Sequence, residues 1–116
     1  MSVVQDFGWI GVDLDGTLAE YDRWRGTLHI GRPVKRMRLR VVRWLGEGKR
    51  VKIVTARAQD RENRDEVVAA IEKWCLRHLG QKLEVTNEKD FGMVELWDDR
   101  AVQVVPNDGR RVDGKD

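Results

Sequence analysis

The chain has 116 residues, of which 41% are hydrophobic and 36% charged, with a formal net charge of +2. That length holds one compact domain and is too short for two. The balance excludes a disordered main body, no apolar run approaches the roughly 18 residues of a membrane span, and so small an excess of basic charge does not by itself argue for nucleic acid.

Residues 1–8 have neither the basic flank nor the apolar length of a signal peptide. Cys75 is the single cysteine. It allows no intrachain disulfide and leaves a zinc cluster short of ligands. Lying in an apolar helical pattern, it reads as a core thiol, and a reducing cytoplasm is the expected location. Arginine outnumbers lysine fifteen to seven.

The first element is a short apolar run over 9–14, a buried strand by its length and composition. It delivers Asp13 and Asp15 to its carboxyl end, with Gly16 available for a turn and Thr17 offering a hydroxyl. Side chains alternate along a strand, so the two aspartates start on one side and Leu14 turns away into the core. Carboxylates this close repel, and either one is protonated or a cation sits between them.

Residues 18–32 show no clear period. Tyr21, Trp24, Leu28 and Ile30 mix with Arg23, Arg25, Gly26 and Gly31, a composition that predicts a hairpin or flap with Gly26 near its tip. A helix is expected over 33–46, with Pro33 in its first turn and Val34, Met37, Val41 and Trp44/Leu45 on one face. Strand 51–55 follows and ends in Thr55. A second helix is expected over 60–79, with Asp60 as N-cap, Gly80 as stop, and Val67, Val68, Ile71, Trp74, Cys75 and His78 at helical spacing. Three more apolar runs, 83–86, 93–97 and 101–105, complete a five-stranded set.

Alternating strands and helices imply an α/β fold of three layers, Rossmann-like, with a mostly parallel sheet covered on both faces. A single domain is expected over 1–106. From Asn107 the Gly-, Arg- and Asp-rich tail is expected to fray.

Ligands of an open parallel sheet bind beyond the carboxyl ends of its strands. There the sequence collects Asp13 and Asp15, then Thr55 and Arg57, then Lys89, then Asp98 and Asp99. Asp13-Leu14-Asp15-Gly16-Thr17-Leu18, a threonine closing a hydrophobic strand, a later lysine and Trp97-Asp98-Asp99-Arg100 occur in that order. In this the chain resembles the haloacid dehalogenase superfamily, most of whose members are magnesium-dependent phosphatases. The resemblance spans 9–105. It departs from the family pattern after Lys89, where Asp90-Phe91-Gly92 replaces the usual proline and the helix before the last acids has no room. Lys82 is no better placed.

The resemblance implies catalysis through an aspartyl-phosphate. Asp13 would be the nucleophile and Asp15 the acid and base. Thr55 and Lys89 would bind phosphoryl oxygens, and Mg2+ would be held by Asp13, Asp98 and Asp99, with Asp15 contributing through its backbone carbonyl. Neither the 17–55 nor the 55–89 interval holds a cap domain, so the fold is expected to be capless with an open site, suited to a large substrate or to closure by a second copy in a homo-oligomer.

Arg23 and Arg25, with Tyr21 and Trp24 among them, suit a nucleotide or nucleic-acid phosphate end. Arg57 is either a further substrate contact or a partner for acids such as Asp60. Lys35, Arg36, Arg38, Arg40 and Arg43 crowd the first helix, where a solvated face is the simpler reading. A calcium loop starting at Asp13 fails, since it wants glycine at Leu18 and glutamate at Trp24. His29 and His78 have no partner pattern and read as structural or surface residues. The alternative function is a catalytically silent binding or phospho-acceptor module built on the same acids.

Overall fold

The computed structural model describes residues 8–115. Residues 1–7, read above as lacking a leader pattern and as the start of the domain, and residue 116 lie outside that range. Four strands form one sheet: β1 (Trp9–Asp13), β2 (Val51–Val54), β3 (Glu84–Thr86) and β4 (Met93–Trp97). All pair in parallel, in the order β3-β2-β1-β4, with β1 and β2 in the middle. Helix α1 (Lys35–Gly46) connects β1 to β2, and α2 (Arg64–Leu79) connects β2 to β3, after a short 3-10 turn at Ala56–Gln59.

The period-two pattern decides which side of the sheet is core. Ile10, Val12 and Leu14, with Val51, Ile53 and Val85, face one way and join Met37, Val41 and Trp44 of α1 and Val67, Ile71, Trp74 and Cys75 of α2 in a single buried cluster. Both helices therefore share one face of the sheet. Cys75 is fully buried, and burial pushes its thiol up to about 12, as a core thiol requires.

The opposite face carries Trp9, Gly11, Lys52 and Val54. A Cβ on Gly11 would lie 3.0 Å from the Val54 side chain and 3.1 Å from Met93 Sδ, so the missing side chain lets these neighbours close over β1. No helix covers this face among the described residues, and the arrangement has two layers instead of the expected three. The cause is the β3–β4 connection. It runs from the carboxyl edge of β3 to the amino end of β4 in the few residues from Asn87 to Gly92, too few for a helix. It passes over Trp9, whose indole Nε1 donates to Asp90 Oδ1 at 2.9 Å and whose backbone N–H donates to Gly92 O at 2.7 Å. Lys52 Nζ stands 4.3 Å from the centre of the same indole and 3.2 Å from Glu84 Oε2.

Other boundaries shift for local reasons. Helix α1 starts at Lys35 and not at Pro33, because Pro33 bridges Ala19 and the Val34 N–H donates to Leu18 O at 2.7 Å. Asp60 does not cap α2. Its carboxylate accepts from the N–H groups of Glu62 and Asn63 in the turn before the helix, and α2 begins at Arg64 with Asn63 at the cap position. Gly80 ends α2 at φ 88° as expected.

The expected fifth strand over 101–105 is absent. That segment finds no place on the sheet and turns back on the tail instead: Val104 bridges Arg111, Val105 N–H donates to Arg110 O, and Val112 N–H donates to Gln103 O. Asn107 at φ 62° and Gly109 at φ 92° make that reversal, so the residues expected to fray carry backbone hydrogen bonds. Among the described residues no helix is long and apolar enough to cross a membrane.

Ile53 lies on a central strand with no exposed surface. Ile53→Ala is expected to cost about 2–5 kcal/mol, the transfer term plus the cavity left behind; urea unfolding of the two proteins measures it.

Candidate active site

The connections from β1 through β2 to β3 step one way across the sheet, and the β3–β4 connection returns to the far side of β1, so the strand order reverses between β1 and β4. A parallel sheet has its ligand crevice beyond the carboxyl ends at such a point. A cleft of about 900 Å3 lies there, lined by Asp13 and Asp15 after β1, Thr55 and Arg57 after β2, Asn87 after β3 and Asp98 to Arg100 after β4. Tyr21 and Trp24 from the 18–34 loop line it too.

Asp13, Asp98 and Asp99 each offer an oxygen within 4.8 Å of the others. Thr17, which is buried, ties the group together. Its hydroxyl lies 3.1 Å from Asp99 Oδ1 and 3.4 Å from Asp13 Oδ2, donating to one or the other, and it accepts from the Asp99 N–H at 2.9 Å. Gly16 permits the approach. It sits at φ 90°, and a Cβ there would lie 2.5 Å from Asp99 Oδ2.

The charge is not compensated locally. Burial, the shared hydrogen bond with Asp99, and the charges of Asp98 and Asp99 raise Asp13 from 3.8 to about 7. Three carboxylates at this spacing match the hard-oxygen preference of a divalent cation such as Mg2+, and a cation would remove the repulsion that holds the proton on Asp13.

Asp15 takes no part in that triad through its carboxylate. It faces Arg57, whose Nε donates to Oδ2 at 2.8 Å and whose Nη2 donates to Oδ1 at 2.9 Å, a bidentate pair. The guanidinium also donates to Thr27 O at 2.8 Å and His29 O at 2.9 Å, and lies 4.9 Å from the centre of the Trp24 ring. Arg57 is thus buried with its acceptors supplied by β1 and by the loop. Its reach begins at Thr55, which caps the 3-10 turn by accepting the Arg57 N–H at 3.2 Å. Asp60, though close to Arg57 in the chain, accepts from the N–H groups of Glu62 and Asn63 in its own turn; Asp15, 42 residues away, is the acid that Arg57 meets.

Other expected residues stand elsewhere. Lys89 is exposed and does not line the cleft; Asn87 does. Arg25 is exposed and pairs with Asp22 at 2.7 Å, and neither it nor Arg23 lines the cleft. Arg100 and Gln59 do line it, though nothing in their local sequence marks them beyond Arg100 following the paired acids. The loop itself closes at its base, with Glu20 N–H donating to Arg32 O at 2.7 Å beside the Ala19–Pro33 bridge. It forms turns, not a hairpin ladder, and Gly26 lies at φ 105°.

No protein-family model matches the chain, and neither a curated protein nor a solved structure matches it. Fold and site together define an α/β protein with one four-stranded parallel sheet and an acid-lined cleft at its carboxyl edge.

Two outcomes follow from the electrostatics. Without divalent cations, the native state holds a proton on Asp13 that the unfolded chain has released between pH 3.8 and about 7. Stability from this group is therefore full at the acid end and lost as pH rises through that window. Asp13→Asn should remove the loss, so the melting temperature of the variant should gain on the parent from pH 4 to pH 8; a constant difference would mean that Asp13 is not perturbed. Arg57→Ala leaves Asp15 partly buried without its partner and should cost on the order of 3 kcal/mol, read by chemical denaturation.

Proposed function

We propose that the chain is a capless, haloacid dehalogenase-type phosphatase, a magnesium-dependent phosphomonoester hydrolase that works through an aspartyl-phosphate on Asp13. The observation that carries this reading is the convergence of Asp13, Asp15, Thr55, Asp98 and Asp99 from three parallel strands on one cleft. The order of these residues in the chain supports it as well.

Asp13 attacks phosphorus, forming the acyl-phosphate O–P bond as the ester P–O bond breaks. Asp15 gives a proton to the leaving oxygen and then takes one from the water that hydrolyses the intermediate, which releases phosphate and restores Asp13. Each Asp15 oxygen keeps a lone pair after its bond to Arg57, so the pair orients the carboxylate without occupying it. Arg57 is a positioning residue in this scheme. Thr55 accepts the Arg57 N–H and still has its own O–H proton to donate to a phosphoryl oxygen.

Asp13, Asp98 and Asp99 would hold Mg2+, with Thr17 setting the orientation of the last. The bound ion supplies positive charge that keeps Asp13 ionised and offsets the charge of the phosphate. Because Lys89 stands away from the cleft, Asn87 and Arg100 are the better placed groups for the remaining phosphoryl oxygens.

Phosphate release from a panel of phosphomonoesters tests the reading. Release should require Mg2+, stop with EDTA, and fall roughly 10³-fold or more in Asp13→Asn. Thr55→Val should retain part of the activity. No release from any ester, with no hydroxylamine-sensitive phosphate trapped on Asp13, would leave the silent binding module as the function.

A further inference from the structure

We infer that Trp24 is a stacking platform for the base of a nucleoside phosphate, with the phosphate lodged among the acids of the same cleft. The inference rests on the phosphatase reading for where the phosphate sits and on the loop geometry for the rest.

Among the described residues Trp24 is the one exposed tryptophan. It is 54% exposed, whereas Trp9, Trp44 and Trp74 are at 8% or below and Trp97 is partly buried against Trp44. Single exposed apolar residues are ordinary, so exposure alone would mean little. What distinguishes Trp24 is that its ring is held. The Arg57 guanidinium lies 4.9 Å from the ring centre, within cation–π range. That guanidinium is in turn pinned by its bonds to Asp15, Thr27 and His29. One contact therefore fixes an otherwise solvent-facing indole at the mouth of the site, at little further entropic cost when a second flat ring is laid on it.

Asp15 and Trp24 meet the same guanidinium, the acid through its N–H groups and the indole with its ring against it, so Arg57 links the acid end of the cleft to the aromatic one. A nucleoside phosphate has the two parts this arrangement takes, a phosphate for the acids and a flat base for the indole. Tyr21, 49% exposed on the same wall, offers a second aromatic surface. Gln59 and Asn87 line the cleft with amide groups that can both donate to and accept from a base edge. Aromatic platforms of this kind bind bases with little sequence preference.

The test compares ligands that share a phosphate and differ in the base. Adenosine 5′-phosphate, adenosine 3′-phosphate, ribose 5-phosphate and O-phosphotyrosine are titrated by calorimetry, with Mg2+, into Asp13→Asn protein to prevent turnover. A nucleotide is expected to bind about tenfold more tightly than ribose 5-phosphate and to quench tryptophan fluorescence. Adding Trp24→Leu should abolish that preference by lowering nucleotide affinity to that of ribose 5-phosphate, and Trp24→Phe should keep most of it. Equal binding of ribose 5-phosphate, tighter binding of phosphotyrosine, or a preference that survives Trp24→Leu would overturn the inference. A phosphorylated trinucleotide run alongside separates the two sources of the base: tighter binding than the mononucleotide points to a chain end, and equal binding to a free nucleotide. Hydrolysis of all four phosphomonoesters by the parent protein is scored separately. Base-dependent binding without hydrolysis would sink the phosphatase and spare the platform; hydrolysis without base preference would do the reverse.

Discussion

Arg57 is the group on which the arrangement around the cleft depends. A guanidinium is costly to remove from water unless its N–H groups are satisfied, and four of its five donors are used by Asp15, Thr27 and His29. Those acceptors belong to parts of the chain that otherwise have little in common: the exit of β1 and an irregular loop. The loop from residue 18 to 34 has no period of its own to order it. Its conformation near the site is dictated by carbonyls that must reach a buried cation, and by the backbone closure at its base.

The acids impose the opposite kind of constraint. Asp13, Asp98 and Asp99 are drawn together by strand order and by the Thr17 hydroxyl, although their charges repel. The fold accommodates them by holding a proton on Asp13. A protein selected for stability alone would place neutral or paired groups there. Local conflict of this kind, in a chain that is otherwise consistent from pattern to packing, is what makes this cleft the candidate site. The two constraints are complementary, because the buried guanidinium of Arg57 is committed to Asp15 and does not compensate the triad.

Much of this was legible before any coordinates. The 9–14 run had to be a buried strand, the helical spacing from Val67 to Cys75 had to face a core, and Gly80 had to end that helix. Each of these follows from short-range periodicity and backbone sterics. The failures share a different character. The three-layer expectation counted alternating elements, but the Asn87–Gly92 stretch is too short to hold a helix, and the second face is closed by that stretch lying over Trp9. The apolar alternation over 101–105 looks like a strand until one asks which edge it joins, and its partner proves to be the tail. Lys89 has the right position in the order of residues, but position in the order does not tell which way an exposed turn leaves the sheet.

By itself the sequence determined the parallel α/β class, the carriage of Asp13 and Asp15 to the end of the first strand, and the meeting of hydroxyl and acid groups at one rim, because strand alternation and the carboxyl-edge rule operate on local pattern. Only the tertiary structure decided that Asp13 belongs with Asp98 and Asp99 while Asp15 belongs with Arg57. Partners 42 and more residues apart in the chain are chosen by strand order and loop closure, and no local signal carries that information. The same holds for Trp24: its composition says aromatic, and only the guanidinium against its ring says that it is held in place.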